Sequence, residues 1–179
     1  KLAGDTRFGG IPYNSNGECK RWDIRGGQGT FDMQGYNLEI KCNFGIAGAD
    51  VVNPGNITVS GAKSHLCLEG SNARLNGSAE NTLTIDEGAV LSSQLFKPAI
   101  NWSVVIDGGT LLEQKYADDY VNYARIDGPV TITEKGAKFQ ASTAGGHWSF
   151  GGSLTINGEI SDHITDDEGN VSLSFDEEG

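Results

Sequence analysis

Apolar and polar residues alternate in short runs along this chain, and the runs recur. LTIDEGAVL (83–91) and VVIDGGTLL (104–112) share one order: apolar, any residue, apolar, acidic, a glycine-containing turn, then a second apolar run. VTITEKGAKF from Val130 and LTINGEI from Leu154 repeat the apolar-Thr-apolar core. Weaker copies are LEIKCNFG (Leu38, Ile40), ITVSGA (Ile57, Val59) and VSLSF (Val171, Leu173). The second apolar residues are Ile40, Val59, Ile85, Ile106, Ile132, Ile156 and Leu173, in steps of 19, 26, 21, 26, 24 and 17 residues. A period of roughly 20–26 residues is that of a solenoid whose turns vary in length.

Strand side chains alternate, so each copy turns its flanking apolar residues to one side and the residue between them to the other. One such strand cannot bury its apolar face alone. Stacked coils can, with Ile40 through Leu173 as a continuous interior column. The runs AVLSS, TLLEQ and AKFQA after the turns predict a second wall. Four prolines against 26 glycines, and the lack of a helical stripe, agree with strands and tight turns. The predicted fold is all-β: a single-stranded parallel β-helix of about seven irregular coils, roughly 35 Å long at ~4.8 Å per coil. A β-sandwich of hairpins is the alternative. The 179 residues suit a single domain, with 1–22 as an N-terminal cap or assembly arm and 162–179 as an acidic terminal hairpin or strand.

The phrase GTFDMQGYNLEI (29–40) resembles the LDLNGxTLTI phrase of pectin-lyase-like right-handed parallel β-helices. The LTIDEGAVL and VVIDGGTLL copies resemble coils of autotransporter passengers, bacterial surface solenoids and phage tail proteins. The resemblance spans most of residues 29–160. It implies an architecture and leaves function open, because this fold carries lyases, hydrolases, adhesins and inert rods.

The formal charge is −11, unevenly spread. Residues 1–60 hold six bases and six acids, whereas residues 161–179 hold seven acids and no base. A surface of that sign repels phosphate backbones, so nucleic acid is not an expected partner. The basic cluster Lys20, Arg21 and Arg25 around Trp22 reads as solvated surface. No apolar run is long enough to cross a bilayer, and KLAGDTRFGG does not read as a signal peptide. Sequons at Asn56, Asn76, Asn101 and Asn170 matter only in a eukaryotic secretory host. Cys19, Cys42 and Cys67 are spaced by nearly one repeat, but Cys42 shares the inward parity and Cys67 does not, so no disulfide is predicted.

The residue after each marker forms a second column: Ser60, Asp86, Asp107, Thr133, Asn157 and Ser174. Asp86 and Asp107 are thereby neighbours, a carboxylate pair that suits a glycosidase, a Ca²⁺ site or plain turn chemistry. The longest interruption, QKYADDYVNY (114–123), combines Tyr116, Tyr120 and Tyr123 with Asp118 and Asp119. Flat apolar rings beside acceptors can stack on and grip sugar rings or a protein partner, or pack back on the rod or a sister subunit. Trp102, with His147 and Trp148 of GGHWSFGG, extends such a face on neighbouring coils, with Trp148 equally suited to be a structural plug. At the acidic end, Asp166, Glu168 and Asn170 alternate like part of a calcium loop, although the EF-hand pattern is not met. A hairpin turn at DDEGN into Val171–Phe175 is the simpler reading.

Catalytic signatures are weak. His65, His147 and His163 are scattered, and there is no nucleophile elbow or phosphate loop. Lys115 or Arg125 near Asp107 and Asp127 would imitate a lyase site only by fold analogy. The expectation is a noncatalytic protein outside cells: a self-assembling structural or attachment element of a cell surface, extracellular filament or virion, homo-oligomeric, without cofactor unless Ca²⁺. A glycan-binding adhesin or phage receptor-binding tail protein is one alternative, and a polysaccharide lyase or glycoside hydrolase another. An open solenoid exposes strand edges at its ends, so the segment before Trp22 or the strand VSLSF is expected to cover one. Deleting residues 171–179 is then expected to abolish assembly or solubility.

Overall fold

The computed structural model describes residues 2–9, 22–52, 55–62, 64–69, 74–76, 78–86, 88–93, 99–113, 123–141, 147–161 and 173–175. The chain begins with β1 (Thr6–Gly9) and a long β2 (Trp22–Asp32), then β3 (Leu38–Lys41) and a long β4 (Asn43–Val52). From there about four complete coils of three strands follow, fewer than the seven expected from the repeat. They are β5 (Ile57–Val59), β6 (His65–Glu69) and β7 (Arg74–Leu75), then β8 (Thr82–Asp86), β9 (Val90–Ser93) and β10 (Ala99–Ile100). Next come β11 (Ser103–Asp107), β12 (Thr110–Glu113) and β13 (Tyr123–Ile126), then β14 (Val130–Ile132), β15 (Ala137–Ala141) and β16 (His147–Phe150). The last three are β17 (Leu154–Ile156), β18 (Ile160–Ser161) and β19 (Leu173–Phe175).

Every pair of these strands is parallel, which makes the chain a β-solenoid and excludes the hairpin sandwich. Successive coils each add one strand to a seven-stranded sheet, β1-β3-β5-β8-β11-β14-β17. A twelve-stranded sheet supplies the other two walls and folds at β4. The first half of β4 pairs with β6, leading to β9, β12, β15 and β18. Its second half, at Asp50 and Val51, pairs with β7, leading to β10, β13, β16 and β19. The runs AVLSS, TLLEQ and AKFQA thus form the expected second wall, and a third wall joins it.

Side-chain alternation explains the stacking. In β8 and β11 the burial pattern alternates strictly, with Leu83, Ile85, Val104 and Ile106 inside. Register sets Ile40 on Val59, Val59 on Ile85, Ile85 on Ile106 and Ile106 on Ile132, all fully buried. Each such side chain contributes about 1.5–3 kcal/mol relative to exposure. The column differs at both ends from the sequence reading. It starts at Phe8, paired with Ile40, and Ile156 at its far end is 49% exposed, with no described strand pairing with β17 on its outer side. Leu173 is not in it: β19 pairs with β16, Leu173 opposite Trp148, on the third wall. Ser174 accordingly leaves the predicted polar column and pairs with Ser149.

Glycines make the corners. Gly88, Gly108 and Gly136 have φ of 77°, 82° and 79°, in the left-handed region where a side chain is strained, and they follow the repeat strands of three successive coils. At Gly109 an added Cβ would collide with Ile85 of the coil beneath. Cys42 belongs to the interior cluster, whereas Cys67 lies outside it yet is equally buried, and no disulfide joins them. β1 pairs with β3 as the first rung of the seven-stranded sheet, and Leu2 N–H donates to the Asp32 carbonyl at 3.0 Å. Residues 10–21 of the expected N-terminal arm, and 162–172 with the proposed turn at DDEGN, lie outside the described residues.

Candidate functional site

Asp86 and Asp107 end β8 and β11 and are paired in register, so the two carboxylates stand on adjacent rungs as the repeat implied. The third member of the cluster comes from the next coil. Counting from the paired residues Ile85, Ile106 and Ile132 to the paired residues Val90, Thr110 and Lys138 gives turns of five, four and six steps. The middle coil is therefore notched, and the longer turn after β14 lets Lys135 reach back over it. Lys135 Nζ lies 2.5 Å from Asp107 Oδ2 and 3.6 Å from Asp86 Oδ1.

The other Asp107 oxygen is also occupied. Thr133 Oγ1 donates to Asp107 Oδ1 at 2.6 Å, and Lys135 N–H donates to Thr133 Oγ1 at 3.3 Å. These bonds, Lys135 first and Thr133 second, hold the Asp107 carboxyl below its ordinary range. A carboxyl so stabilised as the anion is ill suited to donate a proton to a leaving group, and the ammonium stands against both acids of the pair.

Beside this cluster the notch opens as a groove of about 700 Å³ lined by Ala62, Gly88, Gly108, Thr110, Lys135 and Lys138. Its walls are small because the corner residues are glycine or alanine. Lys138 and Thr110 are register partners across β15 and β12. Neither Lys135 nor Lys138 was singled out by sequence reasoning. The signal lay in the unequal turn lengths, which matter only once the register is known.

Trp102 and Trp148 do not extend an outer face: both are fully buried. Trp102 fills the corner before β11 and donates from Nε1 to the Asn76 carbonyl at 3.1 Å. Trp148 lies in β16, and its Nε1 meets no acceptor among the described residues. Both rings lie inside the coil, where the apolar interior offers them more contact than solvent does. Tyr116, Asp118, Asp119, Tyr120, Asp166 and Glu168 lie outside the described residues, and Tyr123 is placed only by its backbone, opposite His147. Arg125, on the third wall, pairs with Asp127 at 2.5 Å rather than approaching Asp107. Among the described residues no group of three or more His, Cys, Asp or Glu is arranged to hold a metal ion. No helix among them is long and apolar enough to cross a membrane.

Two further polar clusters are built by the same stacking. His65 Nε2 and Ser92 Oγ are 2.6 Å apart across β6 and β9, with Ser92 fully buried. Near the first coil Arg7 donates to both oxygens of Glu39, and Lys41 Nζ lies 3.0 Å from Glu39 Oε1. The Arg7 bond, followed by that of Lys41, lowers the Glu39 carboxyl to about 2. No protein-family model, curated protein or solved structure matches the chain.

Proposed function

We propose that this protein is a noncatalytic structural or attachment element working outside cells, a self-assembling solenoid of a cell surface, extracellular filament or virion. The observation that carries this reading is the unbroken ladder from β1 to β17, whose interior column is fully buried through five consecutive rungs, Ile40 to Ile132. A stack in which every coil is pinned to the next on three walls is a stiff spacer, and a stiff spacer suits display and assembly. The Asp86–Lys135–Asp107 cluster fits this role as a tie between coils. Electron microscopy of the purified chain across concentrations, with and without Ca²⁺, tests it. Regular filaments or particles of fixed symmetry are expected, and a monomer at every concentration would overturn self-assembly.

The groove beside Lys135 and Lys138 favours a second reading, attachment to a polysaccharide. A groove with a glycine floor, edged by Thr110 and Lys138 and by a Lys135 already held by Asp107, suits a sugar ring. Binding on a glycan array, lost in Lys138→Ala, would support it; equal binding by the variant would sink it.

A further inference from the structure

Among the described residues, the interior of the rod is least covered at its first and last coils. Six apolar residues pack on the core while only partly buried, and all belong to the first or last coil: Leu2, Phe8, Ile24 and Phe31 at one end, Leu154 and Ile160 at the other. Ile156 is 49% exposed, whereas Ile132, its register partner in the coil beneath, is 0% exposed.

The backbone is open in the same places. Asn157 N–H donates to the Ile132 carbonyl at 2.9 Å, and Val130 N–H donates to the Ser153 carbonyl at 2.8 Å. In a parallel strand, alternate residues turn their peptide groups to opposite neighbours. Residues 153, 155 and 157 therefore face β14. Leu154 and Ile156 face outward, where no described residue meets them. At the other end Thr6 N–H donates to the Asn37 carbonyl at 2.9 Å, so Thr6 and Phe8 face β3, and Asp5, Arg7 and Gly9 turn their backbones away from it.

We propose that the last coil docks the first coil of a second copy of this chain, β17 pairing in parallel with β1 so that Leu154 stands opposite Thr6 and Ile156 opposite Phe8. In that register the ladder rule used within the rod continues unchanged. Leu154 N–H meets the Asp5 carbonyl, and Gly9 N–H meets the Ile156 carbonyl, as Val130 meets Ser153 and Asn157 meets Ile132 inside one chain. The apolar column runs on from Ile156 into Phe8. The two surfaces differ, so each added copy leaves a fresh end and the series stays open. This inference rests on the self-assembling reading above and specifies its contact.

The test is sedimentation velocity and light scattering on the full chain across a concentration series. The parent protein is expected to gain mass with concentration. Ile156→Lys should weaken association at least tenfold. Ile156→Pro, which removes an outward N–H and leaves the Asn157–Ile132 bond in place, should do the same. Ile156→Val and the mid-rod Thr84→Lys should associate like the parent. Melting curves should stay unchanged for Ile156→Lys, since that side chain is half exposed. If the parent associates and both disruptive variants associate equally well, end docking is overturned while self-assembly stands by another surface. A parent that stays monomeric throughout overturns both.

Discussion

Asp86 and Asp107 stand at equivalent positions on neighbouring rungs, and both turn their carboxylates to a single ammonium supplied by the following coil. In-register stacking of a repeat places like residues over like. For apolar residues this builds a core, but for acids it builds repulsion, which Lys135 offsets. The tie spans three coils.

Replacing Lys135 with Met keeps most of its apolar stem and removes the charge. The pair is partly exposed, so the expected loss of stability near neutrality is modest, about 0.5–1 kcal/mol by denaturant titration. The pH dependence carries more information. The Asp107 carboxyl is depressed below its ordinary 3.8, so its contribution is fully present above that value and is lost as pH falls through the lower folded value. The difference between parent and Lys135→Met should therefore be constant near neutrality and shrink below about pH 4. A difference that persisted unchanged to low pH would contradict the assignment.

Glu39 should titrate at about 2 rather than near 4.5, because its ionised form is held by Arg7 and then by Lys41. Its contribution to stability is accordingly present above 4.5 and fades toward 2. Side-chain carbonyl NMR measures this directly. Arg7→Ala should move the midpoint up toward the ordinary range, with Lys41 still holding part of the shift, and an unmoved midpoint would show that Arg7 is not its main cause.

Gly109→Ala should be among the costliest single-methyl additions in the molecule. The new Cβ would overlap the Ile85 side chain and lie 2.7 Å from its carbonyl oxygen, in a corner where neither coil has room to retreat. A loss of about 2–3 kcal/mol or more is expected. Gly4→Ala, with nothing within 4 Å of the added carbon, should stay within about 0.5 kcal/mol of the parent. Equal melting temperatures for the two variants would contradict the packing.

Trp102→Phe and Trp148→Phe remove similar volumes, but only the first breaks a described hydrogen bond, to the Asn76 carbonyl. Trp102→Phe should cost about 1 kcal/mol more than Trp148→Phe. In a Trp22→Phe background, Trp102 and Trp148 should both emit at short wavelength in the folded protein, since each is fully buried. Strong quenching of either by iodide would argue against that burial.

The parts of this fold legible in the sequence are those set by side-chain alternation alone. Apolar-x-apolar triplets gave the interior column from Ile40 to Ile132, and the residue after each triplet put Asp86 beside Asp107. The third wall was not legible, because β7 and β10 are two-residue strands, Arg74–Leu75 and Ala99–Ile100, too short to show a period. Leu173 mimicked the triplet pattern but pairs with Trp148, since which wall a strand joins depends on the turns before it. Trp102 misled for a related reason, whereas Trp148 takes the buried place that its plug alternative allowed. An aromatic beside a glycine-rich turn reads as surface, yet in a solenoid the corner also faces the interior. Lys135 was invisible for want of the turn lengths on either side of Gly108.

The ladders between coils run along the length of the rod, while the covalent chain runs around it. Tension applied along that length is borne by hydrogen bonds and side-chain contacts in series, with no peptide bond sharing the load until a coil has come away. Pulled by its two termini, the molecule should pay out in instalments of one coil. The spacings of 21 to 26 residues between Ile85, Ile106, Ile132 and Ile156 set their size, about 70–90 Å of released chain at each step. Whatever such a rod joins would be held by a tether that lengthens under overload before it parts.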